Sequence, residues 1–477
     1  MLNSVDFSGR PFHFIGIGGI GMSALAYVLA QQNLPVSGSD LRLSHITQRL
    51  EAQGVHIFWS QVAENLSFWT QGLPQVVCST AIGQSNAEYQ AAVELGCPIF
   101  HRSDILAALM EQHQGIAVAG THGKTTTSSM IGYLLLKAGL DPTIVIGGEV
   151  SAWEGNAHVG ESRYMVAEAD ESDGSLAKLT AQIGVVTNIE LDHPDHYSSL
   201  DEVVGIFTAF SGQCQVVVGN LDCPTVRDRL RPTVSYGLGT GSDADYVADN
   251  IRKSAQGMTA DVWERGKRLG RLDLPLLGQH NLSNAMAAIA VGRLLGIDFS
   301  QIATILRQFQ GARRRFERRG YHSDILFIDD YAHHPSEIRA TLAAAQQQSS
   351  EPLRSGQSRR VVAVFQPHRY SRSAALLDEF ATAFDDADQV IVTDIYAAGE
   401  VNCHQISGEQ VRDAIALHHS QTEYQASLEA VKQRLSSGLR AGDIAIFLTA
   451  GNLNQVIPEV MSGFQQSASS PQEALIN

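Results

Sequence analysis

The 477-residue chain has little of what would tie it to a membrane, a nucleic acid or an oxidising compartment. Its five cysteines (Cys78, Cys97, Cys214, Cys223, Cys403) are odd in number and scattered, with no C-x-x-C pair, which excludes a disulfide framework and a thiolate zinc cage. A reducing, cytoplasmic location is expected. Basic charge is scarce: 34 Lys and Arg against 50 Asp and Glu leave −16, so neither nucleic acid nor an anionic membrane is an expected partner. Anionic ligands must be met locally, by backbone N–H groups and a few placed cations. Long apolar runs are also missing. Residues 12–30 follow Arg10 and contain a signal-peptidase-like Ala24-Leu25-Ala26, but glycines break the run. No other stretch reaches the ~18 uninterrupted apolar residues of a spanning helix, so a soluble protein is expected. There is no internal repeat.

What is present is 44% hydrophobic residues and an alternation of short Val/Ile-rich runs with longer helical patterns. That alternation predicts α/β units with parallel sheets. Strands are expected at 13–16, 36–39, 76–79, 116–119, 164–167, 183–187, 216–218, 361–365, 390–393 and 444–448. Helices are expected at 22–30 and 125–138, the second stopping at Gly139. The Gln/Ser-rich segment 346–359 and the tail after Gly463 read as flexible. Breaks near 106–114 and 311–320 divide the chain into units 1–108, 109–316 and 317–477.

Two glycine loops carry the chemistry. Gly16-Ile17-Gly18-Gly19-Ile20-Gly21 lies between a strand and a helix, where backbone can approach a pyrophosphate and the helix N-terminus offers free N–H donors. Asp40, at the end of the next strand, sits where a ribose-binding acid belongs. A nicotinamide cofactor, another nucleotide diphosphate or an unliganded turn all fit this loop. The second, Gly120-Thr121-His122-Gly123-Lys124-Thr125-Thr126-Thr127, ends like a Walker A motif, with Val118 in place of its first glycine. Lys124 would reach the β/γ-phosphates and the Thr125 hydroxyl would hold Mg2+.

Acids complete the picture. Glu168-Ala169-Asp170-Glu171-Ser172-Asp173 follows an apolar strand and reads as a Walker-B-like source of hard oxygen ligands, the alternative being a solvated charged loop. Thr187-Asn188-Ile189-Glu190-Leu191-Asp192-His193-Pro194-Asp195-His196 is dense in ligand types. A second magnesium contact through His193 is preferred there over a zinc site, for which no third nitrogen or sulfur ligand is evident.

Taken in order, the second loop, the acidic run, Asn188 with Asp192-His193, and Gly278-Gln279-His280-Asn281-Leu282-Ser283-Asn284-Ala285 resemble the Mur ligases. The first loop, Asp329-Asp330-Tyr331-Ala332-His333-His334-Pro335 and Phe365-Gln366-Pro367-His368-Arg369-Tyr370 resemble the member that acts first. The resemblance runs from about Phe12 to Asn452. It implies three α/β domains: a Rossmann-like N-terminal domain for the UDP-sugar, a central P-loop ATPase-like domain, and a C-terminal Rossmann-like domain that closes over both. It implies ATP-dependent amide formation between UDP-N-acetylmuramate and L-alanine in peptidoglycan precursor synthesis, hence a part in cell-wall growth, cell shape and cell division. Mg2+ is the implied metal, with Mn2+ an alternative, and a monomer or weak homodimer the expected state. By resemblance, Gly120, Thr121, His122, Gly123, Lys124, Thr125 and Thr126 hold ATP phosphates, and Thr125, Glu168 and His193 ligate metal. Asn281 and Asn284 contact adenine, and one of Arg314 and Arg315 reaches the phosphates. Gly18, Gly19, Ile20, Gly21, Asp40 and Tyr331 bind the sugar nucleotide. Catalysis falls to Lys124, His193, His333, His368, Arg369 and Arg372. Plainer readings exist for some: His333-His334 as packing before a helix-starting proline, and Arg369 and Arg372 as partners of surface acids.

The chain departs from the family at Asn86-Ala87-Glu88, where Asn-Pro-Glu is usual, and at Thr449-Ala450-Gly451-Asn452, where Gly-Ala-Gly-Asn is usual. No lysine follows His193 until Lys253, unlike sister ligases that carry a carbamylated lysine. A recycling ligase that adds a tripeptide, an NAD-dependent oxidoreductase and a non-catalytic nucleotide binder are the rival readings.

Overall fold

The computed structural model describes residues 4–70, 72–194, 196–350 and 359–469. They form three sheets, each flanked by helices. The first has five parallel strands in the order His56–Phe58, Val36–Ser39, Phe12–Ile15, Gln75–Cys78, Ile99–His101. Its central strand, Phe-His-Phe-Ile, is buried at every position, as a parallel strand covered on both faces must be. The helix Ile20–Gln31 follows, with Gly19 at its N-cap and no side chain bonded to its first N–H groups.

The second sheet has ten strands. Gln114–Ala119 lies between Tyr164–Glu168 and Ala181–Val186, all three parallel. Their C-terminal ends therefore deliver 120–127, 168–173 and 187–193 to one place, where ligands of open α/β sheets bind. Cys214–Asn220 and Val234–Leu238 continue the sheet on one side, and Thr143–Val150 with Gly155–His158 close the other. Beyond Val234–Leu238 come three further strands, Tyr246–Ser254, Gly257–Glu264 and Lys267–Leu274, each joined to the next as an antiparallel hairpin. The third sheet has six strands: Glu317–His322, Ile325–Asp330, Ile444–Leu448, Val361–Phe365, Gln389–Thr393 and Thr422–Gln425.

Both segments expected to be flexible begin as helix. Pro335–Ser349 extends through 346–349, because the Gln347 amide is buried against the second sheet's hairpin. Its Nε2 donates to Ser254 O (2.7 Å) and Gly257 O (2.9 Å), and its Oε1 accepts from Gly278 N (3.0 Å). Val456–Ser469 likewise continues past Gly463, where Phe464 packs 6.3 Å from the Phe327 ring. The rest of these two expectations, 351–358 and 470–477, falls outside the described residues.

The joints between units differ in kind. One apolar core runs continuously from Phe12, Leu25 and Leu109 to Ala117, Val186 and Phe207, fusing the first sheet's layer to the second. The third sheet has cores of its own, and polar contacts fasten it to the second. Among the described residues, no helix is long and apolar enough to cross a membrane.

Candidate active site

The second glycine loop is shaped by contacts only glycine permits. Gly120 has φ +141°, and a Cβ there would overlap the Thr187 hydroxyl. Gly123, at φ +80°, is the left-handed N-cap of the helix Lys124–Lys137, with Asn284 Oδ1 packed over it. The loop is held from 187–190: His122 N donates to Asn188 Oδ1 (2.8 Å), Thr187 Oγ1 to His122 O (2.6 Å), and Thr121 Oγ1 to Glu190 O (3.3 Å). Thr126 is buried beneath it, and Asn281 Nδ2 is turned back to Leu277 O (2.7 Å).

Lys124 Nζ donates to Gly120 O (2.7 Å) and Thr121 O (3.2 Å) and meets both Glu171 oxygens at 2.9 Å. Burial pushes the Glu171 carboxyl up to about 7, while burial of the ammonium is more than offset by Glu171 and Asp170, so Lys124 stays charged. Beside this pair, Thr125 Oγ1 donates to Glu168 Oε1 (3.0 Å), and Glu168 Oε2 accepts from Gly147 N (2.7 Å). His193, at φ +57°, brings Nε2 to 3.9 Å from Glu171 Oε1 and 3.7 Å from Asp192 Oδ2. Burial lowers its pKa and leaves it a neutral imidazole with a free lone pair.

The third sheet's layer closes over this face. Arg372, 2% exposed, donates to Asp192 through Nε (2.9 Å) and Nη2 (3.4 Å), and against burial it holds Asp192 well below the usual carboxylate range. His368 Nδ1 lies 3.3 Å from Arg372 Nη1, its ring stacked with Tyr396 at 5.7 Å and edge-on to His333 at 5.7 Å. Burial keeps His368 and His333 neutral, with pKa values lowered to about 2 and about 4. His333 Nδ1 bonds to Tyr331 O (2.8 Å), which commits its proton and leaves Nε2 an acceptor. Arg369, at φ +71°, is 3.5 Å from Glu400.

Arg314 and Arg315 both lie over Tyr331, at 4.9 and 5.0 Å, but they face opposite ways. Arg315 Nη2 reaches Thr125 Oγ1 (3.5 Å). Arg314 donates to Thr449 O (2.6 Å) and faces Asp329 (3.5 Å), so the left-handed turn at Arg314 (φ +57°) turns its side chain into the third sheet, away from the phosphate loop.

A cluster that the sequence did not disclose joins the two layers. His122 Nε2 is 3.4 Å from Glu190 Oε2, its Nδ1 is 3.3 Å from Glu337 Oε1, and its ring centroid is 4.6 Å from that of His334. Burial opposes the charge on His122, but Glu190 and Glu337 raise its pKa to about 10, and His122 with Ser336 holds Glu190 down to about 2. Ser336 Oγ donates to Glu190 Oε2 (2.6 Å). His122, Glu190 and His334 offer three ligand atoms within 4.8 Å of one another. His334 is the N-cap of its helix and its Nδ1 accepts from Ser336 N (3.2 Å), which leaves the proton on Nε2. The group is therefore a charge network and not a metal cage. Glu171 belongs to the acidic run that the sequence marks as a source of metal ligands, but the structure pairs it with Lys124. Glu337 is the residue sequence reasoning passed over, although it has a local signal, His-Pro-Ser-Glu, which spells a capping box.

The first glycine loop meets the same face from the other side. Gly18 N donates to Asp40 Oδ2 (2.8 Å), so one Asp40 oxygen braces the loop, while Oδ1 accepts from Arg42 N (3.0 Å) in the turn that follows Asp40 itself. Gly19 and Ile20 begin the helix, and Gly21 abuts Arg102, which donates to Asp170 (2.8 Å) in the acidic run. The variant Asn86-Ala87-Glu88 keeps both functional ends. Asn86 caps its helix, and fully buried Glu88 accepts from Asn65 (2.7 Å) and Ser39 (2.5 Å) and meets His13 (2.8 Å).

Comparison with known proteins places this geometry in context. Residues 11–114 match the Mur ligase family catalytic domain, 118–292 the Mur ligase middle domain, and 314–451 the Mur ligase glutamate ligase domain. The UDP-N-acetylmuramate–L-alanine ligase of Nostoc punctiforme is 62% identical, over 98% of this chain and 99% of its own. That of Microcystis aeruginosa is 56% identical, over 98% of both. Among solved structures, the UDP-N-acetylmuramate–alanine ligase of Thermotoga maritima superposes with a TM-score of 0.81 at 28% identity, covering 96% of this chain and 99% of that one. A murein peptide ligase from Psychrobacter arcticus shares the fold, with a TM-score of 0.72 at 22% identity over 96% and 99% of the chains.

Proposed function

The chain belongs to the Mur ligase family, and we propose that the site built on Lys124, His193 and Arg372 activates UDP-N-acetylmuramate with ATP and joins it to L-alanine. The observation that carries this reading is the convergence, across one interface, of a phosphate loop (Lys124, Thr125) with the buried group His333, His368 and Arg372. An acid must be activated next to nucleotide phosphates and then meet an amine, and these are the two halves of such a site.

The carboxylate oxygen of the lactyl group attacks the γ-phosphorus in line, the bond to ADP breaks, and an acyl phosphate forms. Lys124 offsets charge on the transferred group, and Arg315, already at Thr125, adds a second cation. Glu171 is the partner that Lys124 exchanges for phosphate oxygens. The alanine ammonium gives up one proton to water, and the neutral amine attacks the acyl carbon. As the tetrahedral intermediate breaks its C–O bond to phosphate, the second nitrogen proton leaves with the phosphate and the amide remains. Neutral His333 receives an ammonium hydrogen bond at Nε2, while Arg369 and Arg372 take carboxylates. Closure of the third layer keeps water from the acyl phosphate.

The adjoining Thr125 hydroxyl and Glu168 carboxylate, with neutral His193 nearby, form a donor set that fits Mg2+, and Mn2+ as well. When bound, the metal supplies positive charge to the phosphates. Asn281 and Asn284 are the adenine contacts of this scheme, and the first glycine loop with Asp40 and Tyr331 takes the sugar nucleotide. Unit 317–477 is the moving part, closing over units 1–108 and 109–316, which share one apolar core. The reaction belongs to the cytoplasm, to peptidoglycan precursor synthesis and so to cell-wall growth, shape and division. Neither nucleic acid nor membrane takes part, and the working form is a monomer or weak homodimer.

Phosphate release with ATP, Mg2+ and UDP-N-acetylmuramate, with and without L-alanine, tests the reading. Release that requires both co-substrates, with one alanine added to the sugar nucleotide by mass, is expected. Release supported only by a tripeptide would transfer the chain to recycling chemistry, and release with neither would refute the assignment.

A further inference from the structure

We propose that Glu337 is a positioning residue that couples the phosphate loop to the amino-acid side of the site, so that ATP and L-alanine strengthen each other's binding through one carboxylate. Its two oxygens have different duties. Oε2 accepts from His333 N (3.0 Å) and His334 N (3.3 Å) and lies 3.2 Å from His333 Nδ1, which is the ordinary work of a helix-capping glutamate. Oε1 takes no part in the cap. It points across the domain interface, 3.3 Å from His122 Nδ1 in the phosphate loop and 4.0 Å from Arg315, which itself reaches Thr125 Oγ1.

A glutamate that served only the cap would leave its second oxygen to water. This one is largely buried, and the surrounding cations hold it ionised against that burial. Its neighbours on one side are a phosphate-loop residue and the linker arginine, on the other His333 and the helix that carries it. Phosphates settling on the loop fix His122 and Arg315, these fix Glu337, and Glu337 fixes His333. By reciprocity, alanine on His333 improves the loop for ATP.

The inference rests on the ligase reading above. Its test uses Glu337→Gln, because glutamine keeps the capping acceptor while losing the charge, and His122→Gln, which attacks the same link from the phosphate loop and leaves the Glu337 carboxylate in place. In the wild type, a non-hydrolysable ATP analogue should tighten L-alanine binding by about tenfold or more, and either substitution should reduce that factor toward one. Steady-state KM for ATP and for L-alanine should rise about tenfold in Glu337→Gln, with KM for UDP-N-acetylmuramate changed by less than about twofold. The double variant should be no worse than the worse single. Unchanged coupling in both variants, or losses that multiply in the double, would overturn the proposal. A wild-type protein that makes no amide bond would instead overturn the ligase reading.

Discussion

Asp192→Asn removes one charge from the ion pair that joins the central loop to the C-terminal layer. The Arg372 and Asp192 side chains are 3% and 5% exposed, with Nε to Oδ1 at 2.9 Å. Loss of one partner from such a pair costs about 3–5 kcal/mol, because the other is left desolvated. Asparagine still offers Arg372 an acceptor, so the lower end, about 3 kcal/mol, applies. This cost is not a cost to folding. The two layers have separate apolar cores, so the C-terminal layer can lift and return Arg372 to water with every core intact. The penalty falls on closure, lowering the closed-to-open ratio by about a hundredfold, and kcat/KM with it. Donor and acceptor dyes on the N- and C-terminal layers would report the opening, and the melting temperature should stay near wild type. An Asp192→Asn enzyme within about threefold of wild type in kcat/KM would refute this reasoning, as would an inactive one with unchanged dye distance.

Arg315→Ala should raise KM for ATP about tenfold or more, while Arg314→Ala, which faces Thr449 and Asp329, should lower stability and leave that KM nearly unchanged; the reverse pattern would mean the two are misassigned. The His122 charge, with its pKa raised from 6.5 to about 10, supports closure in full below pH 6.5 and loses that contribution as pH rises through 10. Glu190, lowered from 4.5 to about 2, contributes above pH 4.5 and is lost as pH falls through 2. Dye-reported closure should therefore weaken on the alkaline side, and His122→Gln should flatten that arm; an unchanged arm counts against the network. Gly120→Ala forces a Cβ onto the Thr187 hydroxyl at φ +141° and should abolish nucleotide binding, which calorimetry with ADP would measure. Lys124→Met should keep the fold, since Glu171 with a pKa near 7 can take up a proton, and should eliminate ADP formation; appreciable turnover would remove Lys124 from its role.

Much of this architecture was legible because parallel strands and phosphate loops write themselves locally. Short apolar runs followed by glycine marked Phe12–Ile15 and Gln114–Ala119, and both loops lie where those runs end. The hairpins at Tyr246–Ser254, Gly257–Glu264 and Lys267–Leu274 escaped notice because one face is polar and charged, so apolar residues alternate and never form a run. The end of the helix Pro335–Ser349 was lost for a different reason: Gln347 reads as polar loop, yet its amide completes backbone groups of a neighbouring layer. The site shows the same division. Lys124 and Thr125 could be named from a motif, but Asp192 with Arg372 and His122 with Glu337 are 180 and 215 residues apart, and only the fold brings them together.

The helix Pro335–Ser349 is fastened to the central layer at both ends, through Ser336 and Glu337 at its start and Gln347 at its finish. A rod held at one end pivots, but a rod held at both must release each before it moves. The C-terminal layer should accordingly switch between two discrete positions with no graded rocking between them. A single-molecule recording of the dye pair would then show two sharp levels whose dwell times, and not whose spacing, respond to nucleotide.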